Sequence, residues 1–277
     1  MPVVASFSIL GDVAQQIGGE RVAVQSLVGA NQDAHAYNLT SSDIKKIREA
    51  RLVLLNGLGL EKAELQRAVK QSKVASAEAT AGIKPLAADE HHHEHGHDHD
   101  HDHGEFDPHV WNDPVLMQRY AANVAIALIK ADPAGSRYYQ QRFKDYQNVL
   151  NQLNNYANQQ FGAVAPAKRK VLTGHDSFAY LGKRYQVKFI SPQGVSSEAE
   201  PSARQIAAII RQIKAENVKA VFTENIKDGR MIARIAKETG VKVSGGLYAD
   251  ALSSGAPAGT YADMFRYNVR VMSEAMK

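Results

Sequence analysis

The stretch SRYYQQRFKDYQNVLNQLNNYANQQFG, residues Ser136–Gly162, holds no proline, and no glycine before its final position. Tyr139, Phe143, Tyr146, Leu150 and Leu153 recur in it at alternating steps of four and three, which places them on one face of a single helix. Asp132-Pro133 is a start signal ahead of it, and Gly162 and Pro166 are stop signals behind it. At 1.5 Å per residue such a helix is roughly 35–40 Å long, enough to cross the back of two lobes. It reads as a strut, which restricts bending where a Gly/Ser linker would permit it.

On both sides of the strut, short β-branched runs alternate with amphipathic stretches. Ahead of it the strand-like runs are 2–7, 22–28, 51–56 and 73–77, with helical patterns at 9–17, 42–50 and 61–71. Behind it they are 170–173, 187–190, 220–224 and 241–244, with helices near 178–185, 202–216 and 229–239. Such alternation implies right-handed crossovers and mostly parallel sheets. The expected fold class is α/β, with two lobes at 1–132 and 164–277 and a linking helix at 133–163. Segment 85–107 has neither periodicity nor apolar content and reads as a mobile, solvated loop of the first lobe.

Composition is that of an ordinary globular chain, 44% hydrophobic and 22% charged. The net charge of +4 is spread along the chain, and no basic cluster with interleaved aromatics points to nucleic acid. There is no cysteine, which excludes disulfides and thiolate metal sites. No run approaches the ~20 apolar residues of a membrane span. No leader is visible ahead of the first strand; an exported domain restarted on an added Met would begin in this way, and so would a cytosolic protein.

Of eleven histidines, eight lie in the run HHHEHGHDHDHDH: His91, His92, His93, His95, His97, His99, His101 and His103. Neutral imidazole is the commonest metal ligand, and the interleaved acids add oxygen donors. The other three are far apart. His35 follows the strand-like run at 22–28, His175 follows 170–173, and His109 sits in Asp107-Pro108-His109-Val110-Trp111. Asp250 follows the run at 241–244. Ligands of open parallel sheets gather beyond the carboxyl ends of strands, so a cleft between the lobes would bring these four together. Three imidazoles and a carboxylate make an N3O set suited to Zn2+, and a closed set of four fits holding an ion better than catalysis on it.

Each feature has a plainer reading. A lone loop histidine is commonly a surface or hydrogen-bonding residue, Asp250 could cap a helix, and the run could be a spacer with incidental metal affinity. A zinc hydrolase would need a general base beside its ligands, as in HExxH, and none is present. Asp176 and Ser177, next to His175, read as hydrogen-bonding and helix-capping residues. A metal buffer would rest on the histidine run alone.

Several segments together resemble the cluster A-I (ZnuA/TroA/AztC-like) metal-binding solute-binding proteins of bacterial ABC transporters. They are Val4–Asp12 (VASFSILGD), Asn56–Glu61 (NGLGLE), Asp107–Trp111 (DPHVW), Thr173–Phe178 (TGHDSF), Glu200-Pro201-Ser202 and Leu247–Asp250 (LYAD), in the family's order over nearly the whole chain. The resemblance implies two (β/α)4 lobes joined by a long backbone helix, a metal site in the cleft formed by His35, His109, His175 and Asp250, and no enzymatic activity. Histidine at 175, together with the histidine run, resembles the zinc carriers; a Glu there is the mark of manganese or iron carriers, the alternative metals. Glu224 is expected to support a ligand histidine, with a fifth donor as the alternative. The resemblance also implies a periplasmic location, a membrane permease as partner, a periplasmic zinc chaperone as a second partner, and a monomer. One departure stands out: where the family has Tyr-Glu-Pro after the first histidine, this chain has Ala36-Tyr37-Asn38-Leu39-Thr40.

Overall fold

The computed structural model describes residues 1–88 and 105–277, so the histidine run at 91–103 lies outside the described residues. The first lobe carries strands β1 (Pro2–Phe7), β2 (Ala23–Val28), β3 (Leu52–Leu55) and β4 (Ser76–Glu78), with helices α1 (Ser8–Gly18), α2 (Ser41–Glu49), α3 (Ala63–Ser72) and α4 (Leu116–Ala131). After the linking helix α5 (Ser136–Gly162) come β5 (Lys170–Leu172), α6 (Ala179–Tyr185), β6 (Lys188–Ile190), α7 (Ala203–Ala215), β7 (Ala220–Glu224), α8 (Arg230–Thr239), β8 (Gly245–Leu247) and α9 (Tyr261–Met276). Both sheets are parallel, in the orders β2-β1-β3-β4 and β6-β5-β7-β8. The lobes thus share one topology.

β1 shows why the sheets are central: every residue from Val3 to Phe7 is buried, as in a parallel strand covered on both faces. The buried stripe of α5 is Tyr139, Tyr146, Leu150, Leu153, Ala157 and Phe161. It packs on α1 and α4 of the first lobe and on α6 and α9 of the second. One apolar cluster runs through both lobes by way of this stripe, from Val3 to Met276. Two smaller clusters lie under the outer helices, around Val53 and Leu65 in the first lobe and Val221 and Ile235 in the second. A shared core makes wholesale separation of the lobes expensive.

Three expectations are corrected. The last strand is Gly245–Leu247, pairing Phe222 with Gly245, rather than 241–244. Gly240 ends α8 in a left-handed turn whose next residue, Val241, bonds back to Ala236, so the β-branched residues of 241–244 are spent on the turn. β4 likewise starts at Ser76, because α3 runs on to a left-handed cap at Lys73. Finally, segment 85–107 is not loose at its feet. Ala87 and Phe106 form an antiparallel bridge, and Leu86 accepts from the Asp107 amide at 2.9 Å.

Candidate metal site

The carboxyl ends of both sheets face one cleft, and His35, His109, His175 and Asp250 meet there. One donor atom from each lies within 4.8 Å of all the others. His109, His175 and Asp250 are fully buried, and His35 is 8% exposed. The Asp250 carboxylate is central. Oδ2 lies 2.9 Å from Nε2 of His35 and 2.9 Å from Nε2 of His175, and Oδ1 lies 3.2 Å from Nε2 of His109. The Nε2 atoms of His35 and His109 are 3.1 Å apart. These spacings approach the edge of a tetrahedron, about 3.3 Å, around an ion with bonds of 2.0–2.1 Å.

Two carboxylates fix which imidazole nitrogen points inward. Asp107 Oδ1 is 2.7 Å from Nδ1 of His109, and Glu224 Oε2 is 2.7 Å from Nδ1 of His175. An ionised carboxylate only accepts, so each Nδ1 carries the hydrogen and each Nε2 turns a lone pair into the cleft. Asp250 Oδ1 accordingly has no hydrogen-bond donor, although it is buried and faces Nε2 of His109. Lone pairs facing lone pairs need a cation between them. Protons serve where no other cation does. Burial pulls the His109 imidazole down, but Asp250 and Asp107 outweigh it and lift it to about 9. His175 is raised well above its usual value against burial, by Glu224 and Asp250. Burial pushes Asp250 up, and the three imidazoles outweigh that, holding it well below the carboxylate range.

The sequence around each donor explains its place. His175 follows β5 and Glu224 ends β7, so they face each other across neighbouring strands. Gly174 leaves the Glu224 carboxylate its place: a Cβ at this position would stand 3.1 Å from it. Asp250 sits three residues beyond β8 and caps no helix, since the next one begins at Tyr261. Asp107, which sequence reasoning passed over, also accepts the His109 amide, at 2.9 Å; an acid two residues before a loop histidine was the available signal. Asp176 donates its amide to the Gln193 and Gly194 carbonyls. The expected cap on α6 is absent: its N-cap is Phe178, and Ser177 Oγ points to the His175 carbonyl at 3.5 Å.

His109 belongs to the first half of the chain but is bolted to the second. Trp111 Nε1 donates to the Ala249 carbonyl at 2.8 Å, and Tyr261 donates to the Trp111 carbonyl at 2.6 Å. Asn112 donates to the Ser177 carbonyl at 2.8 Å, Tyr180 to the Asp107 carbonyl at 2.5 Å, and Arg184 to Asp113 at 2.9 Å. His35 is held through its backbone, its amide donating to Asp33 Oδ1 at 2.9 Å. In place of the missing Glu and Pro, Tyr37 donates to Asp43 at 2.6 Å, and Thr40 and Asp43 form a capping box on α2.

Residues 3–275 match the family described as ZnuA, zinc-uptake complex component A, periplasmic. The chain is 32% identical over 287 residues to the manganese-binding lipoprotein MntA of Bacillus subtilis, covering 100% of this chain and 90% of that protein. The periplasmic zinc binding protein TroA from Treponema pallidum superposes with a TM-score of 0.91 at 26% identity, over 99% of this chain and 98% of the other. The Mn-bound periplasmic metal binding protein of Candidatus Liberibacter asiaticus superposes at 0.84 and 28% identity, over 100% and 99%.

Proposed function

The chain belongs to the ZnuA family of zinc-uptake complex components, which are substrate-binding proteins of ABC transporters and not enzymes, and from that premise we propose that it captures Zn2+ outside the cytoplasm and hands it to a membrane permease. His35, His109, His175 and Asp250 are the ligands in this reading. The observation that carries it is the buried, donorless Asp250 Oδ1 facing imidazole nitrogens whose hydrogens are held on the far side. Three nitrogens with a carboxylate favour zinc, whereas manganese is better served by oxygen-rich sets. Glu224 and Asp107 supply charge and orientation from behind the rings, and the histidine run at 91–103 adds weak, auxiliary zinc sites. A zinc hydrolase finds no support, because each carboxylate touching the histidine rings is either a ligand or holds an Nδ1.

A second reading, manganese or iron, is favoured by both Asp250 oxygens facing the cleft, which permits a five-donor set, and by relatives named for those metals. Equilibrium dialysis with competition separates the readings. One Zn2+ binds tightly and further ions bind weakly; deleting 91–103 removes only the weak class. His109→Ala and His175→Ala each weaken the tight site by roughly 10²–10³-fold, a quarter share of a typical zinc-site free energy. Cells lacking the chain lose uptake of radiolabelled zinc at low external concentration and keep manganese uptake. The opposite uptake pattern would replace zinc with manganese.

A further inference from the structure

We propose that Asp33 is a positioning residue for His35 and that it takes its own position from the second lobe, through Ser197. The inference deepens the metal-capture reading and rests on it. Asp33 divides its carboxylate between two tasks: Oδ1 accepts the His35 amide at 2.9 Å, and Oδ2 accepts the Ser197 hydroxyl. Ser197 is fully buried and belongs to the other lobe. Its carbonyl accepts from Gln193 Nε2 at 3.1 Å and from Lys227 Nζ. Gln193 in turn pairs with His175 in a parallel bridge, donating its amide to Gly174 and accepting the Asp176 amide at 3.1 Å.

A strap of hydrogen bonds therefore runs from His35 through Asp33, Ser197 and Gln193 to His175, outside the space between the donor atoms. Of the ties between residues 29–37 and the second lobe, the one through Ser197 bears on the carboxylate that holds the His35 amide. His109, His175 and Asp250 need no such strap, because Trp111 and Asn112 already tie them into one body. The strap thus governs how long an ion stays, by holding His35 on it, while first capture depends on the three pre-assembled donors. A hydrogen bond to a carboxylate is among the stronger ones in a protein, so its loss has a readable effect.

The test uses the full chain with Ser197→Ala, Asp33→Ala, the double substitution, and Ser197→Thr, which keeps the hydroxyl. Zinc dissociation into a chelator is followed by stopped flow, and Co2+ reports the ligand set through its visible absorption. Ser197→Ala is expected to speed dissociation about tenfold while leaving the association rate and the cobalt spectrum unchanged. Asp33→Ala speeds it further, the double substitution dissociates no faster than Asp33→Ala, and Ser197→Thr restores the original rate. In the metal-free chain, Ser197→Ala accelerates amide exchange at 33–37 and spares 107–113. Unchanged dissociation in Ser197→Ala, or additive effects of the two substitutions, would overturn the proposal. If the unsubstituted chain held no tight zinc, the capture reading would fall, and the metal-free exchange would still decide whether Ser197 orders the His35 loop.

Discussion

Two segments of the first half of the chain each deliver one histidine to the cleft, and they are held in different ways. Residues 107–113 are buried around Trp111 and fastened to the second lobe by five side-chain hydrogen bonds, from Trp111, Tyr261, Asn112, Tyr180 and Arg184. Residues 29–37 meet that lobe at the rim, through the Asn31 amide on Leu252, Asn225 on Asn31, and Ser197 on Asp33. Behind this second segment lies a small space lined by Val28, Ala34, Tyr37 and Leu39. The fastened segment makes three donors into a rigid half-cage; the rim segment supplies the fourth as a closing piece. Chain order and attachment differ: His109 precedes the linking helix but is fastened to the second lobe.

Trp111→Ala attacks the fastened side most directly. It removes the largest fully buried side chain and leaves the Ala249 carbonyl without its donor beside Asp250. The expected loss is about 3–5 kcal/mol, a fall of roughly 6–15 °C in the calorimetric midpoint. Tyr37→Phe on the rim segment removes one half-exposed hydrogen bond and should cost about 1 kcal/mol or less. Equal losses from the two substitutions would erase the distinction between the segments.

Much of this is legible in the sequence. Tyr139 to Leu153 announce α5 through their period, and the β-branched runs mark seven of the eight strands among the described residues, because both signals are local. The convergence of His35, His109, His175 and Asp250 was readable only as a consequence of topology: strand ends of two parallel sheets turned to one cleft. The fastening was not readable. Trp111 Nε1 on Ala249 spans 138 residues and Asp33 on Ser197 spans 164, and a lone Trp or Asp carries no mark of so distant a partner. α9 is a different case. Its buried Tyr261, Met264, Phe265, Asn268, Val269, Met272 and Met276 follow a helical period, but Met, Asn and Tyr dilute the apolar contrast that would mark it in the sequence.

Without metal, the half-cage should show itself through pH. The His109 imidazole is lifted to about 9 in the folded chain, against about 6.5 unfolded. A raised folded value gives stability that is fully present below pH 6.5 and lost as pH rises through 9. The difference corresponds to about 3 kcal/mol, so the midpoint of the metal-free protein should fall by roughly 5–10 °C between pH 6.5 and 9. A divalent cation bound between the rings would hold them neutral and remove that dependence, so stabilisation by added zinc is expected to grow across the same window. A metal-free midpoint parallel to that of the zinc form at every pH would mean that the inward lone pairs are not where protons gather.

A last pair of substitutions separates charge from orientation. Glu224→Gln keeps an acceptor oxygen for the His175 Nδ1 hydrogen, so Nε2 still points inward, but the negative charge behind the ring is gone. Glu224→Ala removes both charge and acceptor and frees the ring to turn. Loss of such a partner costs 10–100-fold in metal affinity, so Gln should fall near the lower bound and Ala near the upper, with zinc competition as the measure. Asp107→Asn and Asp107→Ala provide the matching pair for His109, with the difference that Asp107 accepts the His109 amide at 2.9 Å, whereas Glu224 accepts the His175 amide only at 3.4 Å. The Asn-to-Ala step should therefore be larger at 107 than the Gln-to-Ala step at 224. If the neutral isosteres bound zinc as the original chain does, the carboxylates would serve only as hydrogen-bond acceptors, and the half-cage would owe its affinity to the rigidity that Trp111 imposes.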